Sequence, residues 1–590
     1  ATLRACADDQ QQRCADNQIL LEQYLYPLSS NPALLSDEGY DLLLSFCRDF
    51  YYSNYTEPAL LIRIIDILLP HYEDRSDTES LLFLYICAGF SYMELSRTGE
   101  PTSRDKTIYF YTKVLSYRDQ IEFFESAASR DYIFIAYYNL IRVAPGLGIL
   151  DIETAYRLWE ELCQIRTMPK FCQYDTTNPR IPQLCDRAIN DFRAYGAVLN
   201  VERVIAPSAI LSSLENMTQV YYAEILHEHG SIYECPVFTV FNYHYVQARN
   251  GTITWEAAWQ ILDDYYVHKM QTIGQVSSPD LLAFYTNLPL NLIDVLGHTH
   301  FKEEFKQATY RRYRNLITSY LMNQPASLNS YTLNNGVQLV AFHPLILGTF
   351  QNRMEKMNFI VDLVVTRHLT TFTHSVMVSY LAEAIGKHIL AARPELLRIP
   401  SSYLEGNVYA SPAEVLDYIV PAALFHDIGK NGMIPIINTQ HRKLNDYEFN
   451  IIQTHPQKGS DYLSSDPDFL IYQPVALGHH RSYDGTRGYP LSFDNTASPY
   501  RDAIDLIHIC DCLDAATDYL SRNYHRAKPF DVVLNELKAG RGTEYNPDMV
   551  DVILSDRELY NDLKMLTEQN RENIYYDIYL TFVNLRKKRQ

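Results

Sequence analysis

The sequence has no excess of positive charge, no paired cysteines and no long apolar run, and each absence removes a class of function. Lys and Arg number 51 against 71 Asp and Glu, for a formal net charge of −20. Non-specific binding to DNA or to an anionic membrane surface rewards positive charge, so neither is expected. A small anionic ligand in a locally positive pocket is still compatible with this balance. No apolar stretch approaches the roughly 18 residues of a membrane span. "LLIRIIDILLPHY" carries Arg63 and Asp66, and "YIVPAALFHDIG" is short and interrupted by Pro421. No secretory signal opens the chain, which begins at Ala1 without a methionine, compatible with a trimmed or partial protein. The ten cysteines (Cys6, Cys14, Cys47, Cys87, Cys163, Cys172, Cys185, Cys235, Cys510 and Cys512) are scattered, with no C-x-x-C pair. That pattern speaks against a disulfide framework and for reduced, mostly buried thiols in a cytoplasmic protein. Cys510 and Cys512 read as small core residues rather than ligands.

What is present is helix. The chain has 590 residues and is 47% hydrophobic, enough for two or more domains. Over residues 1–320, apolar positions recur at helical spacing in "DEGYDLLLSFCRDFYY", "EPALLIRIIDILLPHY", "TESLLFLYICAGFSYMELS" and their successors. Paired antiparallel helices at roughly 40–50-residue intervals fit either a loose tetratricopeptide-like solenoid or an irregular helical domain. In "SSPDLLAFY", Ser278 and Pro279 are placed to start a helix. Arg311, Arg312 and Arg314 read as a solvated helix face. Residues 321–338, which include "NQPASLNSYTLNNG", are expected to be a linker, and 339–590 a second all-α domain.

In that second region, separate helices deliver His and Asp. "THSVMVSYLAEAIGKHIL" carries His374 on the face shared by Val378, Leu381 and Ile385. "SPAEVLDYIVPAALFHDIGK" opens with a capping box at Ser411 and Glu414 and reaches His426-Asp427. "NDYEFNIIQTHPQKG" opens the same way at Asn445 and Glu448 and is expected to carry His455 near its end. "GHHRSYDGTRGYP" holds His479-His480, and a helix expected to start at Ser498-Pro499 carries Asp511. One buried histidine is usually an ordinary core residue. Five elements each supplying His or Asp are a different matter. Neutral imidazoles suit divalent transition metals, and a carboxylate such as Asp427 can bridge two of them. Two such ions can activate water and hold phosphoryl oxygens.

The motifs "HDIGK", "HP..G", "HH...DGTRGYP", "CDCLDAATDYLSRNYHRA" and "GTEYNPDMVDVIL" resemble the HD-GYP group of HD metal-dependent phosphohydrolases, over residues 355–555. The resemblance implies an all-helical domain that hydrolyses cyclic di-GMP to pGpG, and onward to GMP, through a metal-bridging hydroxide. It implies metal ligands at His374, His426, Asp427, His455, His479, His480 and Asp511, binding two divalent ions, Fe or Mn. Lys430 would act beside the scissile phosphate. Gly488, Tyr489 and Pro490 would form the namesake loop, and Arg522, Tyr524 and Arg526 would contact substrate. Thr370 stands where some members place a Glu that serves a third metal, and Arg481 stands where an acid is usual, a cation that could either help hold phosphate or weaken metal binding. Both departures leave the two-metal set intact. The alternatives are another cyclic dinucleotide or nucleotide as substrate, or a weakly active ligand-sensing module. Expected partners are the cyclic dinucleotide, a protein or signal at the N-terminal helices, and a second copy of the chain.

Overall fold

The computed structural model describes residues 35–587 and isolated residues between 12 and 27. It leaves out 53–57, 98–99, 101, 124–126, 178, 199–207, 273–283, 324–330, 366–368, 402–407, 434–443 and 521–526. Among the described residues the chain is all-α, with isolated bridges in place of strands. It divides into one compact unit of Leu21–Tyr313 and a second that includes Arg314–Gln590. No described helix is long and apolar enough to cross a membrane.

The first unit runs through helices such as Asp37–Tyr52, Pro58–Asp74, Thr78–Ser96 and Ser103–Leu115, and continues to Trp255–Thr272 and Asn287–Gly297. Chain neighbours pack on one another, and Thr78–Ser96 is buried on nearly all sides. The start expected at Ser278-Pro279 lies outside the described residues.

The unit boundary falls inside helix Glu303–Asn323. The stretch read as a linker is helical at both described ends, because Tyr331–Ala341 forms a second helix. Its Val337, Val340 and Ala341 are buried, so packing overrides a local Asn/Ser-rich preference for loops.

Seven helices of the second unit carry its clustered His and Asp residues or pack behind them. They are α1 (Leu369–Ala392), α2 (Pro412–Phe425), α3 (Asp446–Ile452), α4 (His455–Leu463), α5 (Gln473–Gly478), α6 (Arg501–Thr517) and α7 (Arg571–Lys587). In α1, Val378, Leu381 and Ile385 share the buried face with His374. The capping boxes at Ser411/Glu414 and Asn445/Glu448 both form. α1 and α2 approach closely at Gly386, where an added Cβ would lie 2.5 Å from Ile419 Cδ1. Cys510 is buried and Cys512 half-buried on α6, and the eight described cysteines are all free.

Two expected helices differ in their bounds. The one expected across 445–459 is broken into α3 and α4. Pro456 explains the break: it has no N–H to give to the carbonyl of Ile452, and its ring would clash with that carbonyl in a continuous helix. His455 therefore opens α4 instead of sitting near the end of a helix. Likewise α6 starts at Arg501, and Ser498 instead closes a preceding turn by accepting from the Tyr500 N–H at 3.2 Å.

Gly386→Leu should force α1 and α2 apart and lower the unfolding free energy by about 1–3 kcal/mol, read from urea unfolding curves. Gly386→Ala should cost much less, because the Ile419 methyl it meets can move.

A candidate metal centre

The centre is made of imidazoles whose outer nitrogen is already taken. His426 caps the end of α2, and its Nδ1–H donates to the Ala423 carbonyl at 2.6 Å. His479 does the same after α5, to Ala476 at 2.9 Å. His455 donates to Ile452 at 2.6 Å, using the carbonyl that the proline break frees. Helix ends leave such carbonyls without intrahelical partners, so a histidine three residues on can claim one. This fixes each ring and tautomer and turns Nε2 inward. His374 lies within α1, where the backbone is occupied by the helix. Its Nδ1 donates instead to Asp514 Oδ2 on α6 at 2.6 Å.

The inward nitrogens meet two carboxylates. Asp427 lies at the middle: its oxygens are 3.1 Å from His455 Nε2, 3.6 Å from His479 Nε2, 3.4 Å from His426 Nε2 and 3.6 Å from His374 Nε2. Asp511 lies 2.9 Å from His374 Nε2 and 3.6 Å from His480 Nδ1. Three sets of donors each fall within 4.8 Å of one another: Asp427 with His455, His479 and His480; Asp427 with His374 and His426; and Asp511 with His426 and His479. These are the only such sets among the described residues, and none lies in the first unit. His426 Nε2 and His480 Nε2 are buried with no hydrogen-bond partner. Buried nitrogens left unpaired beside carboxylates are costly unless a cation takes their lone pairs. The residues therefore fit divalent metal, with Asp427 common to two sets.

The protonation states agree. Burial pushes His479 down to about 4 and also lowers His455 and His480, so all three are neutral at pH 7 with lone pairs available. Burial works against ionising Asp427, but the Lys430 ammonium and His426 outweigh it and hold the carboxyl well below its usual range. For Asp511, the neighbouring His374, and after it His480, overcome the same burial penalty and hold the carboxyl well below its usual range. Lys430 stands on a short 3₁₀ turn after α2, with Nζ 2.5 Å from Asp427 Oδ2. At 17% exposure it can also meet an incoming anion. Gly429 lets this turn press on α4, since a Cβ there would lie 2.0 Å from the His455 carbonyl oxygen.

The loop after His480 folds back over the site. Gly488 takes φ +85°, and an added Cβ would sit 1.9 Å from the His480 carbonyl oxygen. Tyr489 is thereby set against the site, its ring 4.6 Å from that of His480 and 6.1 Å from that of His455. Pro490 follows it, half-buried. The Arg481 guanidinium turns to the loop. It is buried and donates to the carbonyls of Gly485 at 2.5 Å, Arg487 at 2.8 Å and Gly488 at 3.3 Å, tying the loop together. Thr370 lies one turn before His374 on α1 and belongs to none of the three donor sets.

All seven expected ligands are thus brought together, while Arg522, Tyr524 and Arg526 lie outside the described residues. Sequence reasoning missed three supporting residues: Asp514, Arg481 in its structural role, and His508, which bonds the His479 carbonyl at 2.6 Å and faces Glu544 at 3.3 Å. The Asp511-x-x-Asp514 spacing was a usable signal, since residues three apart share a helix face.

The HD domain profile matches residues 371–522, which spans the whole donor set. A cyclic di-GMP phosphodiesterase of Vibrio cholerae serotype O1 is 26% identical over 303 residues, covering 46% of this chain and 60% of that protein. The cyclic di-GMP phosphodiesterase response regulator RpfG of Xanthomonas campestris pv. campestris is 33% identical over 146 residues, 24% of this chain and 37% of that protein. A 3′3′-cGAMP-specific phosphodiesterase 2 of Vibrio cholerae is 25% identical over 203 residues, 34% of this chain and 37% of that protein. The chain therefore spans between 37% and 60% of the length of these relatives. Residues 371–522, with their HD doublet, paired histidines and glycine-tyrosine-proline loop, are an HD domain of the HD-GYP type.

Proposed function

We propose that this domain is a metal-dependent phosphodiesterase that opens cyclic di-GMP to linear pGpG, with GMP as the further product. The observation that carries the reading is Asp427, a buried carboxylate common to two donor sets 4.8 Å or less across. That arrangement suits two divalent ions, with iron or manganese favoured by mixed imidazole and carboxylate donors. When bound, such ions supply an activated water and Lewis-acid stabilisation of phosphoryl oxygens.

The chain's own residues do the rest. His374, His426, His455, His479, His480 and Asp511 complete the holding set around Asp427. Lys430 places its ammonium where negative charge grows on the phosphate as the bond breaks. The Gly488, Tyr489 and Pro490 loop, tied by Arg481, forms the rim. The family resemblance assigns Arg522, Tyr524 and Arg526 to the substrate, the two arginines to its phosphates. Residues 1–320 regulate the enzyme or bind a partner, 321–338 join the parts, and the phosphohydrolase domain is 339–590. A cytoplasmic setting accords with the scattered free thiols. The likeness to a 3′3′-cGAMP-specific phosphodiesterase supports a second reading, in which the substrate is that dinucleotide.

Turnover of both dinucleotides by the purified protein with added Mn²⁺, followed by product chromatography, tests these readings. The expected result is pGpG from cyclic di-GMP at the higher kcat/KM. Preference for 3′3′-cGAMP would favour the second reading, and no turnover of either would refute both. Lys430→Ala should lower kcat about 10²-fold with metal content retained. Arg522→Ala should chiefly raise KM, since its grip on phosphate is similar before and during reaction. Arg481→Glu, which restores the acid usual in the family, should lower activity rather than raise it, because a carboxylate would face three loop carbonyls. Steady-state kinetics and limited proteolysis of the 482–488 loop check this.

A further inference from the structure

Of the four histidines with a fixed Nδ1, three are pinned by a carbonyl three residues earlier in their own segment. His374 alone depends on a side chain 140 residues away, Asp514. Asp514 is fully buried, and its second oxygen, Oδ1, accepts from Arg571 Nη1 at 2.8 Å. Arg571 opens α7, beyond the residues that match the HD domain. Its side chain is 0% exposed, which is rare for arginine and costly unless its donors are used. Here four of the five are used: beside the bond to Asp514, Nη2 donates to Thr517 Oγ1 at 2.8 Å, Nε to the Thr567 carbonyl at 3.0 Å and Nη1 to the Tyr575 hydroxyl at 3.3 Å, with the Asp518 carboxylate 3.7 Å from Nη1. The same helix packs on α1 next to His374, through Met377, Ile574, Tyr575 and Ile578.

We infer that Arg571 is a positioning residue for the metal centre, holding the Asp514 carboxyl group in place so that Asp514 fixes the ring of His374. The inference rests on the metal reading above. A planar guanidinium suits the role because it meets Asp514 and Thr517 at once, one from each terminal nitrogen. Without it, the buried Asp514 would lose the cationic partner that fixes its orientation, and its grip on His374 Nδ1 would loosen. His374 Nε2 would then lose its fixed aim toward Asp511 and Asp427. The C-terminal helix thus supports the centre from behind, although none of its described residues belongs to the three donor sets.

The test is Mn²⁺ affinity of the full chain, measured by competition with a fluorescent chelator, beside the thermal unfolding of the metal-free protein. Arg571→Met should weaken Mn²⁺ binding about 10–100-fold, and Arg571→Lys should recover part of that loss. Ile578→Ala loosens the packing of α7 without touching the polar relay. It should lower the unfolding temperature and leave Mn²⁺ affinity unchanged. Asp514→Asn, which keeps the side-chain shape, should reproduce the affinity loss and decides the matter if Arg571→Met does not fold. Wild-type affinity in a folded Arg571→Met or Asp514→Asn protein would overturn the inference alone, as would an equal loss in Ile578→Ala. A wild-type chain that binds no Mn²⁺ would overturn the metal reading and the inference with it.

Discussion

A carboxylate buried among imidazoles holds this domain's design together. Asp427 is 1% exposed and lies within 3.6 Å of four histidine Nε2 atoms and 2.5 Å of the Lys430 ammonium. A lone carboxylate in such a place would be expelled or protonated. It stays ionised against the Lys430 ammonium, and the imidazoles around it stand there because the chain breaks its helices where it does. α2 ends at Phe425, α3 at Ile452 and α5 at Gly478, so three helix ends converge and each provides a carbonyl to fix a ring. The fold supplies positions, and the ends of helices supply orientation.

The same logic explains which outer residues count. The metal-facing atoms are few, but each is held by something behind it: backbone carbonyls for His426, His455 and His479, and Asp514 with Arg571 for His374. His508 holds the backbone of His479, and Arg481 holds the rim loop. Such supporting contacts are conventional in metal centres, where they set tautomer and basicity.

Much of this was legible in the sequence. The His426-Asp427 and His479-His480 doublets, the capping boxes and the inward face of His374 follow from local spacing, and local spacing is what a sequence displays. The break at Pro456 was legible in principle, because proline forbids the continuous helix that the capping box suggested. The role of Arg481 was not, because a charged residue next to ligands invites an electrostatic reading, while its actual partners are carbonyls that any sequence would carry. Arg571 was invisible for a different reason. A single arginine at the start of a polar helix reads as solvated, and only the tertiary fold brings it to Asp514, 57 positions earlier. In the Asn- and Ser-rich stretch read as a linker, local composition hid a helix, since a few buried apolar residues are enough to keep Tyr331–Ala341.

Everything proposed for this domain depends on Asp427 joining two ions in one buried centre. Crystals of the Mn²⁺-loaded protein, measured on both sides of the manganese absorption edge, would show whether it does. Two anomalous peaks roughly 3.5–4 Å apart are expected, with Asp427 between them and Thr370 bound to neither. A single peak, a third peak of equal height, or a pair of peaks that Asp427 does not touch would contradict the two-ion centre.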